Sequence, residues 1–115
     1  MGKNVKSTIF ALSTPEGKSG IAVIRISGEK SLFILEKLCH LKDIKPRVAK
    51  LTKFYSKRSE VVDQGLIILF NSPLSYTGED MLELHTHGSP AIIKKLTEIL
   101  ISIKNVRGAL SLIHI

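Results

Sequence analysis

From Leu82 to His87 apolar and polar residues alternate, the period-two signature of a strand with one buried face. The alternation turns Leu82 and Leu84 toward a core and Glu83, His85 and His87 away from it. Residues 7–12 (Ser7-Thr8-Ile9-Phe10-Ala11-Leu12) also read as a strand. A loop from Ser13 to Gly20, marked by Pro15 and two glycines, leads to Ile21-Ala22-Val23-Ile24-Arg25-Ile26-Ser27, whose β-branched content predicts a central strand. Ala22, Ile24 and Ile26 share one of its faces; Ile21, Val23, Arg25 and Ser27 share the other. Gly28 ends it. Residues 29–40 have helical spacing, with Leu32, Leu35, Leu38 and Cys39 inward and Glu29, Glu36 and Lys37 outward.

Residues 41–47 read as a polar connection, and 48–58 as a strand with a register break (Val48, Leu51, Phe54 and Tyr55 among charges). Val61-Val62 run into Asp63-Gln64-Gly65, a turn-like interruption, before a buried strand from Gly65 to Phe70. Asn71 to Tyr76 form a loop. Ser89-Pro90 is a helix start, serine as N-cap and proline at the first helical position. Ile92, Leu96, Ile99, Leu100 and Ile103 then make one apolar stripe, with Lys94, Lys95 and Glu98 outward. The nearly uncharged residues from Gly108 to Ile115 read as a final strand. The order of elements implies an α+β fold, a mixed β-sheet with two main helices packed on one face, in a single domain over residues 1–115.

Composition narrows the function classes. No apolar run approaches the roughly 18 residues of a membrane span, and the start of the chain lacks a signal peptide's apolar region. Gly2 does not make a myristoylation signal, because Ser7 sits one residue late. One cysteine, Cys39, excludes a disulfide framework and a multi-cysteine zinc site, and points to a buried structural thiol in a cytoplasmic protein. The net charge of +7 suits a polyanionic partner such as RNA, but the 13 lysines are scattered and no basic run is interleaved with aromatics.

Gly17-Lys18-Ser19 is not a phosphate-binding loop: Leu12 stands where that motif needs its first glycine, and a strand follows where it needs a helix. His85-x-His87 puts two imidazoles on one strand face, where Glu83 or Glu79 would be the third ligand of a metal; the pattern is short and common, and no metal site is assigned. No serine sits in a glycine-flanked elbow. Arg25, in a largely apolar strand, needs an acidic partner. A carboxylate such as Glu83 can accept two parallel N–H bonds from an amino-pyrimidine edge while Arg25 grips a carboxylate tail; equally, Arg25 and Glu83 can pair with each other.

Five motifs occur in one order: Ser13-Thr14-Pro15-x-Gly17, Ile24-Arg25-Ile26-Ser27-Gly28, Pro46-Arg47-x-Ala49, Asp63-x-Gly65 and Thr77-Gly78-Glu79-Asp80-x-x-Glu83-x-x-x-His87-Gly88. Together they resemble the amino-terminal domain of the MnmE (TrmE) tRNA modification GTPases, over residues from about 7 to 109. The resemblance implies a fold similar to tetrahydrofolate-binding domains of glycine-cleavage-type proteins. It also implies dimerisation and binding of 5-formyl-tetrahydrofolate, the one-carbon source for C5 of the wobble uridine. On that basis Arg25 and Glu83 match folate-contacting residues, and Gly17, Gly20, His87 and Gly88 fall in the motif loops as site walls. The implied partners are an FAD-dependent MnmG (GidA) protein and tRNA. GTP, Mg and K belong to a GTPase domain for which this chain has no counterpart, so no catalysis is expected of residues 1–115 alone.

The chain departs from the pattern in two places. Ser89 replaces a second glycine, and after Ala109 the ending Leu110-Ser111-Leu112-Ile113-His114-Ile115 replaces a segment that carries a further folate-contacting lysine. The expectation is of a truncated, frameshifted or split product. Two other readings stand beside folate binding: a small non-enzymatic tRNA-binding or interaction module, and a decayed remnant without activity.

Overall fold

A computed structural model of the chain describes residues 7–13, 20–71 and 79–109. The elements are β1 (Thr8–Leu12), β2 (Ile21–Ser27), α1 (Ser31–Cys39), β3 (Lys50–Tyr55), β4 (Val61–Phe70), β5 (Met81–His87), α2 (Pro90–Ile101) and β6 (Val106–Gly108). The six strands form one sheet in the order β3-β4-β5-β2-β1-β6, antiparallel throughout except where β1 and β6 run parallel. The expected α+β class with a mixed sheet and two helices is therefore the observed one.

Strand pairing explains why one face is packed. Ile24 lies opposite Leu84 and Ile26 opposite Leu82 across β2 and β5, while Ile67 and Leu69 of β4 continue both rows. With Phe10 of β1 these side chains are buried in one cluster with Ile34, Leu35 and Leu38 of α1 and Leu96 and Leu100 of α2. Both helices therefore cover the same face. Fully burying each such side chain is worth about 1.5–3 kcal/mol, so this layer dominates the stability.

The connections are fixed by polar side chains. Gly28 adopts φ +141°, and a Cβ there would lie 2.6 Å from Thr8 Oγ1. That close approach lets Thr8 Oγ1 accept from the Lys30 backbone N–H, while Ser31 Oγ bonds the carbonyls of Gly28 and Asp80. Ser89 caps α2 by accepting from the Ile92 N–H, with Pro90 at the first helical position, as its sequence predicts.

Three expectations need correction. In α1 the buried face is Ser31, Ile34, Leu35, Leu38 and Cys39, and Leu32 is exposed. The i, i+3, i+4, i+7, i+8 row begins at a serine, whose hydroxyl is satisfied locally, and so escaped a reading based on leucines. Ile44, in the polar connection, is buried. Asp63-Gln64-Gly65 does not interrupt β4, which runs unbroken from Val61 to Phe70. The irregularity lies between Phe54 and Tyr55 of β3, whose partners are Asp63 and Val61, leaving Val62 unopposed as a bulge. Gly65 is required where it is, since a Cβ would run into the His85 carbonyl of β5. The last strand is Val106–Gly108, and residues 110–115 lie outside the described residues. No helix among the described residues is long and apolar enough to cross a membrane.

Candidate functional site

Among the described residues no helix packs on the second face of the sheet, and β2 and β5 place the charged residues at its centre. Because partners across a ladder share a face, the pairs Arg25–Glu83, Val23–His85 and Ile21–His87 all project from it. Ile68 of β4 continues the Glu83 row on one side, and Ala11 of β1 continues the Arg25 row on the other. Leu66 and Leu51 extend the His85 row toward the β3 edge.

Glu83 is the centre of this arrangement. It is only 8% exposed although its face is not covered by a helix. Arg25 Nε donates to Glu83 Oε2 at 2.9 Å, and His85 Nε2 lies 3.1 Å from Glu83 Oε1. Both carboxylate oxygens are thus engaged by residues on neighbouring rungs, which fixes the rotamer of Glu83 on a rigid strand. The internal pair that the sequence allowed is present, with the Arg25 side chain 43% exposed. Exposed ion pairs contribute little, about 0–1 kcal/mol; here the larger quantity is the cost of leaving Glu83 without donors.

At the end of the same ladder the Gly88 N–H donates to the Gly20 carbonyl at 3.0 Å, bringing together two glycines 68 positions apart in sequence. His87 adjoins them. Its backbone N–H donates to Asp63 Oδ2 at 2.9 Å and its Nδ1 lies 2.8 Å from Asp63 Oδ1. Burial acts to raise the Asp63 carboxyl, but the backbone N–H of His87, its ring and the Gln64 N–H outweigh burial and hold the group below its ordinary value. An ionised Asp63 accepts only, so the proton of the His87 ring is on Nδ1.

The structure therefore places Arg25 and Glu83 in contact, with His87 four positions away and Gly20 and Gly88 five, at the ladder's end, roughly 13 to 17 Å along the strand. Gly17 lies outside the described residues, as do Thr77 and Gly78. The two histidines do not converge on one point: His85 meets Glu83 and His87 meets Asp63. Glu79, the other acidic candidate ligand, accepts from Ser27 Oγ at 2.9 Å. No group of three metal-ligating side chains is gathered among the described residues. Cys39 is buried, and that burial pushes its thiol up to about 12 despite a hydrogen bond with Thr52, so it is an inert core residue. Sequence reasoning met Asp63 only within a turn-like motif; the structure makes it a strand residue opposite Phe54 whose carboxylate reaches His87 at the end of the β5 ladder.

Residues 8–111 match the family model described as GTP-binding protein TrmE N-terminus. A tRNA modification GTPase MnmE of Wolbachia sp. subsp. Drosophila simulans is 53% identical over 95 residues, covering 83% of this chain and 22% of the relative. The protein of the same description from Ehrlichia ruminantium is 50% identical over 90 residues, covering 78% and 20%. That from Anaplasma phagocytophilum is 48% identical over 98 residues, covering 85% and 22%. The chain thus spans about a fifth of the length of these curated relatives. With nearly all of its length matched by that model, and with about half of the aligned residues identical in these relatives, the chain belongs to the TrmE amino-terminal family.

Proposed function

We propose that the helix-free face of the sheet binds 5-formyl-tetrahydrofolate, held by Glu83 and Arg25, and that the chain does so as a homodimer in support of C5 modification of the wobble uridine in tRNA. The observation that carries the reading is Glu83: a carboxylate 8% exposed, on a rigid central strand, with both oxygens oriented by Arg25 and His85. A carboxylate offers about four acceptor positions, and these two contacts take two of them. The capacity that is left fits the paired N–H donors of an amino-pyrimidine edge. Arg25, 43% exposed and bonded to Glu83 at 2.9 Å, would hold that carboxylate in place at the ring end of the ligand. The roughly 17 Å from this pair to the Gly20–Gly88 contact suits an elongated ligand with a ring at one end.

When bound, the folate supplies the one-carbon unit; the residues of this chain bind and orient it. The apolar part of the same face, with Ile21 57% and Leu51 63% exposed, is the surface a second copy would cover. Action on tRNA with an FAD-dependent MnmG (GidA) partner rests on family membership alone, and would belong to a whole protein of the relatives' length, about a fifth of which this chain matches.

Calorimetric titration with 5-formyl-tetrahydrofolate tests the reading. Saturable binding that disappears in both Arg25→Ala and Glu83→Ala is the expected result. Absence of binding by the folded wild-type chain would refute it. Sedimentation over a range of concentrations checks the dimer.

A further inference from the structure

A second site lies on the helix side, away from the Arg25–Glu83 face. The carboxyl ends of α1 and α2 and the turn between β3 and β4 enclose a cleft of about 680 Å³. Lys30, Lys37, Lys42, Lys57 and Lys104 line it, against a single carboxylate, Glu36. None of these five ammonium groups forms an ion pair among the described residues. They come from α1, the connection after it, the β3–β4 turn and the segment after α2, which is why no basic run is visible in the sequence.

The simplest structural role for these lysines is to neutralise the helix carboxyl ends. Each end carries only about half a negative charge, so two ends and Glu36 leave most of the positive charge uncompensated. The cleft also holds aromatic surface. Phe33 is 42% exposed, with the ammonium groups of Lys30 and Lys37 5.0 and 5.4 Å from its ring centre. The His40 and Tyr55 rings stack at 3.9 Å and 5° from parallel. His40 sits there because it closes α1 in the left-handed conformation, its N–H bonding the Glu36 carbonyl.

Lysines around exposed aromatic rings form the standard recognition chemistry of single-stranded nucleic acid, phosphates on the charges and bases on the rings. We infer that this cleft binds a single-stranded segment of RNA through its phosphodiester backbone, with Phe33 as a base-stacking surface. RNA is the polyanion chosen because the relatives act in tRNA modification. The inference does not depend on the folate reading, since the two sites lie on opposite sides of the sheet.

Fluorescence anisotropy of a labelled 12-nucleotide oligouridylate with the 115-residue chain tests it. The triple variant Lys37→Glu/Lys42→Glu/Lys57→Glu should weaken binding at least tenfold and flatten the slope of log K against log salt by about 2. The charge-matched variant Lys45→Glu/Lys50→Glu/Lys94→Glu, outside the cleft, should change affinity less than about threefold. Phe33→Ala should weaken oligouridylate about fivefold or more and leave heparin, which has no bases, unaffected. Circular dichroism establishes that each variant is folded; all substituted side chains are exposed. Equal losses in the two triple variants would overturn the proposal in favour of diffuse charge attraction. Equal loss of heparin and RNA in Phe33→Ala would overturn the base-stacking role. No binding of oligouridylate at low salt would end the proposal outright. Arg25→Ala and Glu83→Ala should bind oligouridylate as the wild type does.

Discussion

On the helix side of β2 and β5, Ile24, Ile26, Leu82 and Leu84 are fully buried in one apolar layer. One residue along each strand, on the opposite side, the same ladder carries Arg25, Glu83 and His85, joined by hydrogen bonds, and His87, bonded to Asp63, all partly open to solvent except Glu83. The first face is held by area removed from water, and the second by a chain of donors and acceptors that must stay satisfied. The difference shows where this fold has freedom. Any change in the apolar layer disturbs packing everywhere, whereas the polar face can accept a ligand at the expense of only a few contacts.

That contrast can be broken in graded steps. Leu84→Ala removes a fully buried side chain at the meeting of the sheet and helices and should cost about 2–5 kcal/mol in denaturant unfolding. Gly28→Ala should cost about 1–3 kcal/mol, because alanine resists φ +141° and its Cβ would displace Thr8. Arg25→Ala should cost about 1–2 kcal/mol by depriving Glu83 of a donor, and the double variant Arg25→Ala/Glu83→Gln should recover part of that loss.

The smallest effect concerns Asp63. Its carboxyl is held down in the folded chain, so the unfolded chain binds the proton more readily. The stabilisation is therefore fully present above the unfolded value of about 4 and is lost as pH falls through the folded one. Asp63→Asn should lower stability by about 1 kcal/mol or less at pH 7 and flatten the stability curve in that acid range. Equal slopes for the two proteins in pH-dependent melts would show that the His87 contact contributes nothing.

Most of the architecture is legible in the sequence because each element repeats its own period. The alternation at 82–87 assigns every residue of the polar row to its face, and Ser89-Pro90 marks the start of α2. What escaped is what depends on neighbours distant in the chain. Gly65 reads as a turn residue until the His85 carbonyl pressing on it is known. Ser31 reads as polar surface until the carbonyls of Gly28 and Asp80 are seen to satisfy it. In the candidate site, Arg25 and Glu83 were each identifiable, but their pairing across 58 positions is a matter of register. Asp63 reads as part of a turn until its bonds to His87 are seen, and the lysine cleft escapes because its charges come from separate segments.

Folate is proposed to bind the polar face of the sheet and not its helix side. The most direct test is residue-resolved amide NMR of the chain during titration with 5-formyl-tetrahydrofolate. The account predicts saturable shifts along β2 from Val23 to Ser27 and along β5 from Glu83 to His87, with the outer residues of α1 and α2 unmoved. Saturating shifts confined to the helices, or none at any ligand concentration, would contradict it.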